Sequence, residues 1–258
     1  MNPIKYLSKA IKHVFIFKNY CPEEYWSSRA KDSGLTSVMW RNENYNLLAD
    51  KIEKEKINRY FKDLRDKKVL DLCCGIGRLS KYLAQKGATV YGVDLAPMIE
   101  RAKKENNHPN IRYIASSMFD MDLKAAYFDY VLSVGCIANV CDTDEELHNI
   151  IERINISLKR DGLFLSMDPF HKYLAFLSRP CMHSTKEIIY ICEENGFDLV
   201  KRDGIFFIPI QIYLTMIHIS KSYRLNKFLF EFGEIILKIP FVRDAFSDYK
   251  ILLFKKVI

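Results

Sequence analysis

Two carboxylates and two glycines carry the clearest chemical pattern in this chain. Asp71 lies inside an apolar run, Val69-Leu70-Asp71-Leu72, which is followed by Cys73-Cys74-Gly75-Ile76-Gly77-Arg78-Leu79-Ser80. The run reads as a buried strand and Arg78 to Lys86 as a helix, so Gly75 and Gly77 fall in the turn between them. Such a turn brings backbone N–H groups and a helix N-terminus up to a ligand with little side-chain bulk in the way. The second carboxylate, Asp94, stands 17 residues after Gly77, at the end of Ala88-Thr89-Val90-Tyr91-Gly92-Val93. At the tip of a second strand it is placed to accept hydrogen bonds from both hydroxyls of a ribose. The chemistry implied is the holding of a nucleoside-like ligand. The third position of the dinucleotide fingerprint, however, is Ser80 rather than glycine.

Taken singly, each feature has a plainer reading. Gly-x-Gly after a strand is often a tight turn, Asp94 could cap a helix that starts before Pro97, and Asp71 could be a strand-end charge. The order of the elements decides between the readings. A third strand, Ile111-Arg112-Tyr113-Ile114-Ala115, leads to Ser116-Ser117-Met118, and a fourth runs from Tyr127 to Val134. Leu158-Lys159-Arg160-Asp161-Gly162-Leu163-Phe164-Leu165 then reads as a turn and fifth strand. Strands alternating with helical stretches call for a mostly parallel sheet covered by helices on both faces. At 258 residues, without internal repeats or a low-complexity linker, the chain fits one nucleotide-binding domain with a modest appendage.

Over roughly residues 65 to 200 this order and spacing resembles the class I S-adenosylmethionine-dependent methyltransferases. Ser80 and Asp71 turn the reading away from NAD and toward S-adenosyl-L-methionine, with S-adenosyl-L-homocysteine as product. The resemblance implies a Rossmann-like α/β fold: a seven-stranded, mostly parallel sheet closed by an antiparallel pair, Phe197 to Phe206 and Tyr249 to Lys256. About forty residues separate that pair, too many for a structureless loop, so 207–246 is expected as a helical insertion. It lies within a cofactor-binding domain expected over 65–258, which follows an N-terminal helical segment over 1–64. The resemblance also implies that Asp71, Cys73, Gly75 and Gly77 form the turn under the methionine portion and that Asp94 holds the ribose. Leu95 and Met118 would sandwich adenine, and Ser117 would stand where the family often has an aspartate for the adenine amino group. Ser133 and Val134 would lie near the transferred methyl. In related enzymes a segment like Tyr25-Trp26-Ser27-Ser28-Arg29 with Val38-Met39-Trp40-Arg41 closes over the cofactor. There Arg41 either pairs with the methionine carboxylate or forms a surface salt bridge.

Methyl transfer from a sulfonium is an in-line displacement, so alignment of the acceptor and exclusion of water are the main tasks. A hydroxyl acceptor would also need a base. His171, just past the fifth strand, is the first candidate because imidazole titrates near neutrality; the alternative is an ordinary loop histidine. His148 is expected on a helix facing away. Asp142 and Asp144 are read as caps of the following helix, and no Asp, Glu and His cluster has metal-ligand spacing. Gly135-Cys136-Ile137-Ala138-Asn139 lacks the Asn-Pro-Pro-aromatic signature of enzymes acting on nucleobases, so nucleic acid is not expected as a partner. Seven cysteines without Cys-x-x-Cys spacing read as reduced, intracellular thiols.

The net charge of +7 is not spread evenly: residues 1–22 carry +4 and residues 197–258 another +4, leaving the middle at −1. The same ends are apolar, with nine of the seventeen phenylalanines in the last 62 residues. Ile4, Leu7, Ile11, Val14 and Phe15 at helical spacing, with Lys5, Lys9 and Lys12 opposite, describe an amphipathic basic helix. Either it packs on the domain's flank or it touches anionic membrane. The apolar piece Val14-Phe15-Ile16-Phe17 is too short for a signal peptide. The insertion at 207–246 is read either as a greasy cap over the acceptor or as core helices extending the fold. These features lead to the expectation of a cytoplasmic, metal-independent enzyme, with possible peripheral membrane contact. Its acceptor would be small or lipid-linked and methylated most simply at oxygen. The alternatives are N- or C-methylation of a soluble metabolite and a non-catalytic cofactor-binding protein; the sequence sets no oligomeric state.

Overall fold

The computed structural model describes residues 21–170, 183–217 and 220–257. Seven strands form one sheet: β1 (Lys68–Leu72), β2 (Thr89–Asp94), β3 (Ile111–Ala115), β4 (Phe128–Val134), β5 (Leu158–Asp168), β6 (Phe197–Phe207) and β7 (Ser247–Lys256). Their order is β3-β2-β1-β4-β5-β7-β6, with β7 antiparallel to both neighbours and the other pairs parallel. β1 is apolar at Val69, Leu70 and Leu72 because it sits mid-sheet and is covered on both faces. The sheet order reverses between β1 and β4, and a crevice opens there beyond the strand ends, where α/β sheets bind ligands.

The described helices are α1 (Pro22–Arg29), α2 (Glu43–Tyr60), α3 (Arg78–Gln85), α4 (Ala96–Glu105), α5 (Ile137–Val140), α6 (Asp144–Ser157), α7 (Thr185–Glu194), α8 (Ile208–Ile212), α9 (Tyr223–Ile236) and α10 (Pro240–Phe246). Two apolar cores result, one on each face of the sheet. One gathers Leu147, Ile150, Ile151 and Ile154 of α6 with Ile188 and Ile191 of α7. The other gathers Tyr45, Leu48 and Ile57 of α2 with Leu79 and Leu83 of α3, and with Phe206 and Phe230. Each large aliphatic side chain buried this way contributes roughly 1.5–3 kcal/mol, so both layers hold the sheet firmly.

The expected insertion is helical: α8, a π-helical turn (Tyr213–Ile217), α9 and α10 occupy it. Asn42, just before α2, ties it to that helix. The Asn42 side chain caps α2 by accepting from the Tyr45 N–H at 3.2 Å. Its amide donates to the Leu214 carbonyl at 2.9 Å and to Asn226 Oδ1 at 2.8 Å. No described residue of 207–246 lines the main cavity, so the insertion forms a flank beside α2 and β6 rather than a wall of that cleft. The expected basic helix over residues 4–15 lies outside the described residues.

Candidate active site

The crevice contains a cavity of about 360 Å³. The β1–α3 turn forms its floor through Asp71, Cys73, Cys74 and Gly75, and β2 brings Asp94 and Leu95 to one wall. Ser117 and Met118, past β3, and Val134, Gly135 and Cys136, past β4, complete the deep side. Cys21, Pro22, Glu23, Trp26 and Val38 line it from the pre-core segment.

Asp94 is held by the turn it faces. Its Oδ2 accepts from the Gly75 N–H and its Oδ1 from the Leu95 N–H, both at 2.7 Å. A carboxylate oxygen has a second acceptor site, so both remain able to take a further hydroxyl. Burial pushes the Asp94 carboxyl up to about 6, against the lowering effect of the two N–H donors. Gly75 must be glycine here. Its φ is +55°, and an added Cβ would lie 2.7 Å from Val38 Cγ1 in the facing wall. Gly77 also adopts a left-handed conformation and precedes α3, but it stands outside the cavity wall.

Asp71 lines the cavity, and its Oδ2 accepts from the Ser80 hydroxyl at 2.6 Å. The fingerprint position that departs from glycine therefore supplies the partner of the strand-borne acid. Burial raises the Asp71 carboxyl to about 7, with Ser80 and Arg78 pulling the other way.

Ser133, expected near the transferred methyl, is fully buried and absent from the cavity wall. Alternation along β4 turns it away, and its hydroxyl donates to Asp168 Oδ2 at 3.3 Å. Ser166 donates to the same oxygen at 2.8 Å, and the Ala138 N–H donates to Oδ1 at 3.3 Å. Asp168 thereby anchors the Gly135–Ala138 loop that walls the deep end. Behind this loop, the Tyr249 hydroxyl lies 2.9 Å from where a Cβ on Gly135 would be.

Arg41 is exposed and does not line the cavity. The neighbouring Asn42 is drawn inward by α9 and the π-helical turn, which leaves Arg41 at the surface. The cation in the wall is instead Arg78, alone of Lys and Arg among the described lining residues. It is 12% exposed and pairs with Asp50 at 2.8 Å and Glu53 at 2.5 Å, both from α2. These acids hold its guanidinium above the usual range although burial opposes the charge. Arg78 was legible as the first residue of α3, but its role depends on the packing of α2, which no local spacing reveals.

Two other expectations are corrected. Thr143, not Asp142 or Asp144, caps α6, in a reciprocal arrangement with Glu146. Asp142 and Glu146 line the cavity, while Asp144 pairs with His183 at 2.8 Å. Cys73 and Cys136, with Cα atoms 5.7 Å apart, are joined by a disulfide, against the expectation of uniformly reduced thiols. β1 and β4 are sheet neighbours, so residues just past their ends meet although 63 positions separate them. His148 contacts Asn195 and does not line the cavity, although the start of its helix does so through Glu146. His171 lies outside the described residues.

Comparison with known proteins bears on what such a cleft holds. A family model described as a methyltransferase domain matches residues 69–162, from β1 into β5. A ubiquinone biosynthesis O-methyltransferase of Pelagibacter ubique is 31% identical over 213 residues, covering 72% of this chain and 83% of that protein. This chain belongs to the class I S-adenosylmethionine-dependent methyltransferases. An uncharacterized methyltransferase of Synechocystis is 38% identical over 102 residues, 39% of this chain and 46% of that protein. Several of the curated relatives are thus matched over less than half their length. Magnesium protoporphyrin IX methyltransferase from Synechocystis, solved with bound S-adenosylhomocysteine, superposes with a TM-score of 0.59 at 17% identity. That match covers 90% of this chain and 93% of the other, and it shows the shared fold.

Proposed function

We propose that this methyltransferase-family chain binds S-adenosylmethionine in the β1–β4 crevice and transfers its methyl group to a small or lipid-linked acceptor, at oxygen. The observation that carries the reading is the convergence in one cavity of the glycine turn, the Asp94 carboxylate and the Arg78 guanidinium. Asp94 would accept from the ribose hydroxyls, Leu95 and Met118 would flank adenine, and Ser117 would meet its amino group. Arg78 would take the methionine carboxylate, since guanidinium matches that geometry. Bound there, the cofactor supplies an activated methyl on a sulfonium. The chain's own residues align the acceptor and exclude water, which can account for most of the rate. Val134, Gly135 and Cys136 close the deep end, and Trp26 and Val38 shield the cofactor side.

Oxygen is favoured by the relatives named for ubiquinone biosynthesis O-methylation. A second reading, methylation of an amine, is supported by the acidic residues Glu23, Asp142 and Glu146 in the wall and by relatives named phosphoethanolamine N-methyltransferases. For a hydroxyl acceptor, His171 would act as the base, following Asp168 at the end of β5.

The test has two stages. Calorimetry should show S-adenosylhomocysteine binding that Asp94→Ala weakens at least tenfold, since charge-assisted hydrogen bonds are worth about 1.5–3 kcal/mol each. Unchanged affinity in that variant would remove the assignment. Turnover would then be assayed on phenolic and on aminoalcohol acceptors, with the methylated atom located by NMR. His171→Ala should slow phenol methylation roughly 10²–10⁴-fold at unchanged cofactor affinity. A loss under about threefold would leave alignment alone as the catalytic device.

A further inference from the structure

Helix α9 is apolar on two sides. Its inner face, Asn226, Phe230 and Gly233, continues through Leu237 and is buried against α2 and β6. Its outer face carries Leu225, Phe228, Phe232 and Ile235, followed by Ile239, at steps of three and four residues. That spacing places the four helical residues on one stripe, and Ile239 follows past the end of α9 at Ile236. Phe241 extends the stripe onto α10, and exposures run from 39% at Leu225 to 75% at Phe241. Scattered exposed apolar residues are ordinary, whereas a contiguous stripe of this length marks an interaction surface.

The charges beside it select the partner. Lys221, Arg224, Lys227 and Lys238 are exposed along the same segment. Of its acids, Glu231 faces Lys227 at 3.7 Å, and Glu234 turns inward to accept from the Phe206 N–H at 2.8 Å. A second copy docking stripe to stripe would set these cations against each other. Residues 1–20 carry four lysines and no acid, so they too would meet like charge. Such juxtapositions are costly, so the surface calls for a negative partner with an apolar interior. Among the described residues no helix is long and apolar enough to cross a membrane.

We propose that the α9–α10 stripe seats the protein on an anionic lipid surface, with the aromatic side chains entering the headgroup region and Lys221, Arg224 and Lys227 meeting lipid phosphates. This arrangement is that of an interfacial amphipathic helix, which lies in the plane of the membrane. It deepens the lipid-linked branch of the proposed function, but it depends on the surface alone and not on methyl transfer.

The test is co-sedimentation of the full chain with phosphatidylcholine vesicles, with and without phosphatidylglycerol, at low and high salt. Binding should favour anionic vesicles by at least about tenfold, fall with salt, and drop by a similar factor in Phe228→Ser/Phe232→Ser/Ile235→Ser. A charge variant, Lys221→Glu/Arg224→Glu/Lys227→Glu, should lose the anionic preference and serves as the check should the serine variant misfold. Calorimetry with S-adenosylhomocysteine, run in parallel, should be unchanged in both variants, which separates this surface from the cofactor reading. Equal binding of neutral and anionic vesicles would overturn the proposal. So would undiminished binding in both variants, or a dimer that the serine substitutions dissolve in a chain that ignores vesicles.

Discussion

Arg78 has a structural role in the fold and a proposed one toward the ligand. Its pairs with Asp50 and Glu53 fasten α2 to the start of α3. A guanidinium carries five N–H donors, so these two contacts leave others for the cavity it lines. The two roles can be separated by choosing ligands. S-adenosylhomocysteine carries the amino-acid carboxylate, and 5′-methylthioadenosine keeps the nucleoside without it. The parent protein should prefer the former by about tenfold or more, the worth of one charge-assisted hydrogen bond. Arg78→Met should nearly abolish that preference while retaining nucleoside binding. It should also cost about 3–5 kcal/mol in urea unfolding, because buried Glu53 loses its partner. An unchanged ratio of the two affinities, measured by calorimetry, would leave Arg78 as a structural ion pair only.

Among the elements, the parallel units were legible because each carries its own local signal. Apolar runs mark β1, β2 and β4, and glycine marks the β1–α3 turn. The length of chain between β6 and β7 marked the insertion, although its place on the flank was not legible, since long-range partners decide it. Ser133 falls outside the cavity wall for a related reason: a strand end identifies a residue as near the crevice, but only the pleat decides which face it takes. The Asn42 junction belongs to this class. Its side chain caps α2, yet its amide also satisfies Leu214 and Asn226 on elements some 170 or more residues away. Asn42→Ala should destabilise the protein by about 2–4 kcal/mol, combining a lost cap with buried groups left unpaired. Hydrogen exchange should quicken first in residues 208–237, while S-adenosylhomocysteine affinity stays within about twofold. Uniform acceleration across the sheet would mean that the insertion and the sheet unfold as one unit.

At the scale of the whole molecule, the β1–β4 crevice concentrates acids in a protein of positive net charge. Burial raises Asp71 to about 7, and Asp94 and Asp168 to about 6, while Glu234 on the inner side of α9 reaches about 7. A carboxyl whose pKa rises on folding contributes its stability fully below its unfolded value near 4. It loses that contribution as pH climbs through the folded value. Asp129 and Asp203 are lowered instead by their lysine partners, so their contribution is present above the unfolded value and fades only in acid. The cofactor-free protein should therefore melt several degrees lower at pH 8 than at pH 5.5, a shift readable by calorimetry. The ligand should act in the opposite sense, because ionised Asp94 accepts ribose hydroxyls more strongly than its protonated form. At a hundredfold excess over its dissociation constant, S-adenosylhomocysteine adds about 2.7 kcal/mol. At fixed ligand concentration, the gain in melting temperature should grow from pH 5.5 to pH 8, and Asp94→Asn should flatten that dependence. A ligand-induced gain that is constant across this range in the parent protein would show that Asp94 does not titrate between the free and bound forms, and its place at the ribose would have to be given up.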